Sequence, residues 1–333
     1  MAFALFLLLA ASASFEESFR AGLLALQRND LTAAVTNLGD AAKLAPNDGR
    51  VWVALARTYW KLKETDKAND AAGKASKLSA GDPVVQSSLA IYYSESGQTL
   101  KAAEAQARYS ALAPQDSEAR KKAESLYFEA VKPLLQSERF GEAIAILSKA
   151  REQIANSAQI ELALGVACYG LRRFDEAAGA FLRTIAIDPK VEQPYIFLGK
   201  FLDQIPNRLP EVTKVFVQYE HADPASPTGY LLHAKALNAQ SIEPEATRGL
   251  LEKSISINGR DPAAHFELGV LLDRTRKFPE AAREFEKAAE LDPGDPATHY
   301  RLSRIYDRLG KTEEARRERE LHAKLMAAQQ PLH

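Results

Sequence analysis

The chain has 333 residues, a formal net charge of −1 and a single cysteine. A nearly neutral chain lacks the positive charge that draws proteins to nucleic acid or anionic membranes, so neither is an expected partner. The lone cysteine, Cys168, excludes an internal disulfide and a zinc site built from several cysteines.

Residues 1–14, MAFALFLLLAASAS, carry no charge, and Ala2 to Ala11 form an apolar run. The apolar run is shorter than the roughly 20 residues that a membrane-spanning helix needs, so no integral membrane span is expected. Its length and the small residues at Ala11-Ser12-Ala13 are typical of a signal peptide, which predicts an exported protein, periplasmic or secreted. The basic start of a signal peptide is missing, because the first basic residue is Arg20. The alternative is an apolar helix that packs on the following segment of a cytoplasmic protein.

From residue 22 onward the chain repeats itself nine times, with steps of 34 or 35 residues and one step of 41. Three columns of residues keep this phase. The first column reads Ala34, Ala68, Ala102, Ala143, Ala177, Val212, Ala246, Ala281 and Ala315. The second reads Gly22, Ala56, Ala90, Val131, Gly165, Gly199, Ala234, Gly269 and Ser303. The third reads Pro46, Ala80, Pro114, Ala155, Pro189, Pro224, Gly259, Pro293 and Ala327. A phase kept across the whole chain indicates a repeat architecture.

The chemistry of the columns predicts a pair of helices in each unit. Small residues at two fixed positions let the two helices approach closely, and larger residues three or four apart lie on one helical face. The third column ends the second helix, because proline cannot continue it and glycine favours the cap. Asp-Pro pairs then start the next helix, with aspartate as the N-cap. These pairs are Asp82-Pro83, Asp261-Pro262 and Asp295-Pro296.

The pattern resembles the tetratricopeptide repeat, a unit of about 34 residues with an aromatic residue, Leu-Gly, Tyr, Ala, Phe, Ala and Pro in order. The best-matching unit is residues 262–295, and residues 49–82 and 158–191 match in part. The matching residues of the best unit are Leu268, Gly269, Leu272, Ala281, Phe285, Ala288 and Pro293. The resemblance implies an all-α fold, a right-handed α-solenoid of about nine helix-turn-helix repeats.

The predicted organisation has repeats 1–3 at 15–116, a helix-extending insertion at 117–123, and repeats 4–9 at 124–329, with a tail at 330–333. The insertion follows from the step of 41 between Ala102 and Ala143. A charged last repeat would cap the array. The chain is either two sub-arrays with a bend between them or one continuous superhelix. In the sixth repeat, a loop that contains proline, Asp203 to Glu211, replaces the tight turn.

In this family the first helices of the pairs line a concave groove that binds extended peptides or helices of partner proteins. The resemblance therefore implies a non-enzymatic scaffold for protein–protein interaction, with no catalytic residue, cofactor or metal. Two alternatives stay open: a small molecule or glycan bound in the groove, for which Trp60 and Tyr93 are the first candidates, and a regulatory subunit of an enzyme complex. The carboxylate clamp of co-chaperones is not matched, because Phe19 and Leu23 stand at the corresponding sites.

The position after the second column resembles the groove-lining position of the family. Five of its nine residues are basic and none is acidic. This predicts a groove that attracts acidic segments of partner proteins, with arginine able to contact a carboxylate through two hydrogen bonds. The alternative is ordinary solvated helix surface. The predicted groove residues are Arg57, Trp60, Lys61, Lys132, Lys200, Lys235, Arg304 and Arg308.

Packing explains two of the six histidines and the cysteine, and the other histidines are isolated or terminal. His265 and His299 lie 34 residues apart at equivalent places in successive repeats, where the family often has an aromatic residue. Cys168 stands in a column with Tyr59 and Leu272, which predicts a buried structural thiol. The His-Glu-x-x-His spacing of zinc enzymes is absent from the sequence.

Overall fold

The computed structural model describes residues 2–329, with side chains from residue 14 to residue 328. The predicted tail, 330–333, lies outside the described residues. So do the side chains of the predicted signal peptide, 1–14, except that of Ser14. Contacts divide the chain into two compact units, an N-terminal unit, Met1–Leu171, and a C-terminal unit, Arg172–His333.

Helices account for all the regular structure that the described residues contain. The N-terminal unit holds α1 (Ala2–Gln27), α2 (Leu31–Leu44), α3 (Gly49–Lys61), α4 (Thr65–Leu78), α5 (Pro83–Glu95), α6 (Thr99–Leu112), α7 (Ser117–Gln136), α8 (Phe140–Gln153) and α9 (Ala158–Gly170). The C-terminal unit holds α10 (Phe174–Ile187), α11 (Gln193–Leu198), α12 (Leu209–Ala222), α13 (Pro227–Gln240), α14 (Pro244–Ile257), α15 (Pro262–Arg274), α16 (Phe278–Leu291), α17 (Pro296–Arg308) and α18 (Thr312–Gln329). Helices that follow each other within one unit pack as hairpins in the pairs α1–α2, α3–α4, α5–α6, α7–α8, α13–α14, α15–α16 and α17–α18, which confirms the predicted all-α fold of helix-turn-helix repeats.

The helix starts are those that the Asp-Pro pairs predict. The Asp82 carboxylate accepts hydrogen bonds from the backbone N–H groups of Val84 and Val85, with Pro83 in the first turn of α5. Asp261 and Asp295 cap α15 and α17 in the same way. Each cap satisfies backbone donors that a helix start leaves unpaired, and is worth about 1 kcal/mol.

The small-residue columns lie where the two helices of a repeat meet. All members of the second column are buried. At Gly269 an added Cβ would lie 2.8 Å from the ring of Phe285, and at Gly22 it would lie 2.6 Å from the side chain of Leu38. Contacts this short are not available to a side chain, so the close approach of the helices requires glycine at both positions.

The first column needs one correction. Ala246 is exposed, and Thr247 occupies the buried position instead, with no exposed surface. The turn before α14 takes an irregular path in which Ser241 and Glu243 both have positive φ, so the helix begins one residue later than the repeat spacing predicts. The Thr247 hydroxyl donates to the Glu243 carbonyl at 2.9 Å, which lets a polar residue fill an alanine site.

α7 is 20 residues long, whereas α3, α5 and α9 each have 13. Its first turns pack on α6, where Gln106 Nε2 donates to the Ala119 carbonyl at 3.1 Å and Tyr109 donates to Asp116 at 3.0 Å. The predicted boundaries at 116 and 124 stay a prediction; the contact boundary falls after Leu171.

The sixth repeat departs from the others. Its first helix, α11, has only six residues, and two short 3₁₀ helices, Leu202–Gln204 and Pro206–Arg208, follow it before α12 begins. This is the segment whose prolines predict the loss of the tight turn.

One regularity of the turns is not evident from the columns. The turn from the first to the second helix of a repeat contains a residue with positive φ: Asn29, Lys63, Gly97 or Glu138 in the first four hairpins. Glycine adopts this conformation at no steric cost, whereas other residues lose roughly 1–2 kcal/mol.

We expect Gly97→Ala to lower the free energy of unfolding by about 1 kcal/mol, because alanine is strained at a φ of +73°. Gly73→Ala is the matched control. Neither added methyl group has a neighbour within 4 Å, but Gly73 lies inside α4, where alanine is favoured by about 1 kcal/mol. Urea denaturation should show shifts of opposite sign, and equal shifts would contradict the assignment of the turn conformation.

Candidate partner-binding surfaces

The first helices of the N-terminal unit line a cleft of about 260 Å³. We call it the apolar cleft. Its lining residues come from α1, α3 and α5: Phe19, Leu23, Leu26, Arg50, Val53, Ala54, Arg57, Val84, Val85 and Ser88. Val53 and Val85 form a buried floor, whereas Leu23 and Val84 are 41% and 60% exposed at the sides. The cleft therefore offers apolar surface to a ligand from three successive repeats.

Two arginines on α3 differ in how firmly they are held. Arg50 lies 2.6 Å from Asp48 and 3.4 Å from Glu16, and its hydrogen bonds lower the pKa of Asp48 against the opposing effect of burial. Arg57 reaches Glu95 at 3.4 Å, and its Nε is shielded from solvent and has no hydrogen-bond partner among the described residues. Arg57 is therefore held less firmly than Arg50, which has two carboxylate partners.

A second cleft, of about 340 Å³, lies in the C-terminal unit. We call it the charged cleft. Five ionisable residues line it: Lys200, Asp203, Lys235, Glu267 and Arg301. Its other lining residues are Gly199, Leu202, Asn238, Ala239, Ser241, Phe266 and Val270. Cations outnumber carboxyl groups in this cleft, although the chain as a whole is nearly neutral.

Glu267 is the most enclosed of these charges. Its side chain is 13% exposed, and burial raises its pKa, against the opposing influence of Lys235 at 3.7 Å and a hydrogen bond from Asn238. Asn238 Nδ2 donates to the Glu267 carboxylate at 3.0 Å and to its carbonyl at 3.1 Å. Asn238 Oδ1 is buried and finds no donor among the described residues. The cleft thus keeps an uncompensated acceptor beside a destabilised carboxylate, an arrangement that packing alone does not favour.

The sequence profile of the tetratricopeptide repeat matches residues 25–91, 134–211 and 274–318, which together make up more than half of the chain. The chain belongs to the tetratricopeptide repeat (TPR) family. Proteins of this family are generally non-enzymatic scaffolds for protein interaction, and the helical hairpins of both units have that architecture.

Solved structures similar to this TPR protein have low sequence identity to it. TTC0263, a thermophilic TPR protein of Thermus thermophilus, is 19% identical over 52% of this chain and 98% of its own, with a TM-score of 0.44. Yeast Tom70 is 14% identical over 94% of this chain and 92% of its own, also with a TM-score of 0.44. MamA from Desulfovibrio magneticus RS-1 is 16% identical over 62% of this chain and 96% of its own, with a TM-score of 0.37. No curated protein matches the sequence. The family assignment rests on the repeat profile.

Three of the predicted groove residues lie in the clefts. Arg57 lines the apolar cleft, and Lys200 and Lys235 lie together in the charged cleft. Trp60 is half-buried against the core of the N-terminal unit.

The other four predicted groove residues are exposed and line neither cleft. Lys61 and Lys132 lie at the surface of α3 and α7. Arg304 contacts the Tyr300 ring and donates to its hydroxyl at 3.3 Å. Arg308 pairs with Asp273 and lies over the ring of Phe278.

Several cleft residues are not found from one column alone. Glu267 and Arg301 stand three residues before the column positions Val270 and Arg304, and Arg50 stands seven before Arg57. Residues three, four and seven apart share a helix face, so extending each column position by these steps would have found them. Asn238 and Asp203 carry no such signal, because their place in the cleft depends on the irregular turns around α11 and α13.

Two of the histidines, His265 and His299, belong to a structural column of this TPR protein. His265 Nε2 donates to the Gly259 carbonyl at 3.3 Å and His299 Nε2 donates to the Pro293 carbonyl at 3.0 Å. Trp52, Tyr195 and Tyr230 donate to the carbonyl six residues upstream in the same way. The five side chains thus satisfy turn carbonyls between repeats, which confirms the predicted packing role of His265 and His299. Cys168 is buried, as predicted.

The described residues contain neither a candidate metal site nor a candidate membrane-spanning helix. No group of three or more His, Cys, Asp and Glu side chains in this part of the chain could hold a metal ion. No helix there combines the length and the apolar character that a membrane crossing requires.

Glu267→Gln should stabilise the protein at neutral pH. A carboxyl whose pKa is raised on folding stabilises the folded state least when it is ionised, so stability falls as pH rises from the unfolded pKa through the folded pKa. Glutamine removes that loss and can still accept from Asn238. The gain over the parent should shrink toward pH 4, because the unfolded state also becomes protonated as the pH falls below its ordinary carboxyl pKa of about 4.3.

The control for this experiment is Glu290→Gln. Lys287 lowers the pKa of Glu290 through a hydrogen bond, so its ionised form favours folding and the substitution should not stabilise. Urea denaturation at both pH values measures the two variants. A Glu267→Gln protein that is less stable than the parent at neutral pH would contradict the claim that burial destabilises the ionised Glu267.

Proposed function

We propose that this TPR protein is an interaction scaffold that binds an acidic segment of a partner protein in its charged cleft. The observation that carries the proposal is the convergence of Lys200, Lys235 and Arg301 from three different repeats on one cleft. Residues so far apart in the chain meet there only because the hairpins stack. These three cations outnumber the two carboxyl groups of the cleft.

The chemistry of the cleft supports an acidic ligand. Lysine and arginine form charge-assisted hydrogen bonds with carboxylates, and the excess of cations over carboxyl groups in the cleft also speeds association with an anionic ligand. Lys235 is 3.7 Å from Glu267, too long for a strong charge-assisted hydrogen bond, and its side chain is 25% exposed, so its ammonium group has donors left for a ligand carboxylate.

The test is a double charge reversal, Lys200→Glu with Lys235→Glu, assayed against an array of acidic peptides and their amide counterparts. We expect the parent to prefer the acidic peptides, with binding that weakens as salt is raised. The reversal should weaken that binding at least about tenfold, since like charges then face each other. The matched control, Lys253→Glu with Lys324→Glu, changes the net charge equally at exposed positions outside the cleft. Equal losses in the two variants would refute the proposal.

We also propose that the protein is exported, on the strength of the apolar run in residues 1–14. Expression of the full chain followed by N-terminal sequencing tests this. Export predicts a mature protein that begins after the small residues Ala11-Ser12-Ala13, whereas a chain that still starts at Met1 in the cytoplasm contradicts it.

A further inference from the structure

Three arginines of the C-terminal unit line one cavity of about 410 Å³, which we call the arginine cavity. Arg274 ends α15, Arg276 lies in the turn that follows, and Arg308 ends α17. The other lining residues are Asp273 and Phe278. The cavity therefore lies where first helices end and turn into second helices, and it shares no lining residue with the apolar cleft or the charged cleft.

Packing does not require arginine at these helix ends. Arg274 and Arg308 are 34 residues apart and stand five residues after the second column, at the same place in the eighth and ninth repeats. The other seven repeats have no arginine there, from Gln27 in the first to Ala239 in the seventh. The two arginines are thus a property of these two repeats and not of the repeat pattern.

The single carboxylate of the cavity does not balance its three guanidinium groups. Asp273 pairs with Arg308, whose guanidinium also lies over the Phe278 ring, 5.1 Å from its centroid. The next carboxylate on α17, that of Asp307, pairs with Arg319 at 2.7 Å. The arginine cavity therefore has an excess of positive charge.

Arg274 carries the least compensated of these charges. Its Nη1 donates to the Asn238 carbonyl at 3.0 Å, which holds the guanidinium in place. Its Nη2 is shielded from solvent and has no hydrogen-bond partner among the described residues. Neither Arg274 nor the exposed Arg276 forms an ion pair with a side chain described between residues 14 and 328. A charge that is shielded from water without a counter-ion is costly, and an anion in the cavity would lower that cost.

We infer that the arginine cavity binds a phosphate monoester. A guanidinium presents its N–H groups in a planar fork that matches two oxygens of a phosphate. A phosphate monoester carries a charge of about −1.5 to −2 at neutral pH, which matches the excess of the cavity better than the single charge of a carboxylate. The volume of the cavity leaves room for a small organic group attached to the phosphate. The inference goes beyond the proposed function, because both the cavity and the chemistry of the ligand are different.

Isothermal titration calorimetry of the full chain with phenyl phosphate tests the inference. Phenyl sulfate and benzoate are the counterparts, because each has the same ring and a single negative charge. We expect the parent to bind phenyl phosphate at least about tenfold more tightly than either counterpart, with binding that weakens as salt is raised. Equal affinities for the phosphate and the sulfate would overturn the inference.

Arg276→Glu reverses one charge of the cavity in a turn that accepts glutamate. Arg276 has a φ of 62°, and Glu138 has a φ of 57° at the same turn position of the fourth repeat, so the variant should fold. It should weaken phenyl phosphate binding at least about tenfold, because the new carboxylate repels the ligand. Arg172→Glu is the matched control: it makes the same change at the same turn position of the fifth repeat, and Arg172 does not line the cavity. Equal losses in the two variants would refute the site.

Arg276→Gly removes the same charge in a way that favours folding. Gly97 and Gly310 occupy the equivalent turn position in the third and ninth repeats, and glycine adopts a positive φ at no steric cost. The variant should weaken phenyl phosphate binding, although less than Arg276→Glu does. Circular dichroism checks that all three variants are folded. A folded Arg276→Gly protein that binds phenyl phosphate as tightly as the parent would also overturn the site.

The double variant Lys200→Glu with Lys235→Glu separates this site from the charged cleft. It should bind phenyl phosphate as the parent does, since neither lysine lines the arginine cavity. If it loses phenyl phosphate while Arg276→Glu keeps it, the phosphate binds in the charged cleft and the inference fails. If acidic peptides do not bind but phenyl phosphate binds as described, the proposed function fails and the arginine cavity stands.

A second titration, with a phosphoserine peptide and its unphosphorylated counterpart, identifies the source of the phosphate. A phosphopeptide that binds more tightly than phenyl phosphate, and loses affinity in Arg276→Glu, indicates a phosphorylated partner protein. A phosphopeptide that does not bind, while phenyl phosphate does, indicates a phosphorylated small molecule. Either result supports a phosphate site, whereas equal binding of the two peptides together with no binding of phenyl phosphate would overturn it.

Discussion

The close approach of the two helices in each repeat is the constraint on which the rest of the structure depends. At Gly269 the Phe285 ring fills the space where a Cβ would lie, and at Gly22 the Leu38 side chain does the same. Each hairpin has an apolar face that it cannot bury alone, so neighbouring hairpins stack and cover it. Three local features keep neighbouring hairpins aligned as they stack. These are the lengths of the turns, the helix caps and the side chains that donate to the turn carbonyls.

Where packing does not decide the residue, the repeats differ in chemistry. The lining of the clefts comes from first-helix positions that face outward, and these vary from Leu23 and Val84 in one cleft to Lys235 and Arg301 in the other. The same hairpin geometry therefore presents an apolar surface in the N-terminal unit and a charged one in the C-terminal unit. Family membership establishes the architecture, and the chemistry of the outward positions differs from one unit to the other.

Glu267 and Asn238 form a polar arrangement in the charged cleft that the packing of the hairpins does not require. Burial disfavours the charge on Glu267, and the Asn238 carbonyl oxygen has no donor among the described residues. Natural interiors leave few such groups unpaired, because each costs about 1–3 kcal/mol. Other buried polar groups are paired locally, as when Thr247 bonds to the carbonyl of Glu243. Gln86 Oε1 also lacks a hydrogen-bond partner among the described residues, so what distinguishes the Asn238 oxygen is its place beside a carboxylate in a cleft.

The sequence alone determined the repeat, the helix pairs, the Asp-Pro caps and the packing role of His265 and His299, because each depends on contacts that recur at a fixed spacing. It also placed Arg57, Lys200 and Lys235 on surfaces that line clefts, since one helical position recurs from repeat to repeat. Only the tertiary structure decided which of the eight predicted residues share a cleft, that Thr247 replaces Ala246 in the core, and that Asn238 and Glu267 meet. Those outcomes depend on turns such as that before α14, whose irregular backbone shifts the register by one residue and follows no period in the sequence.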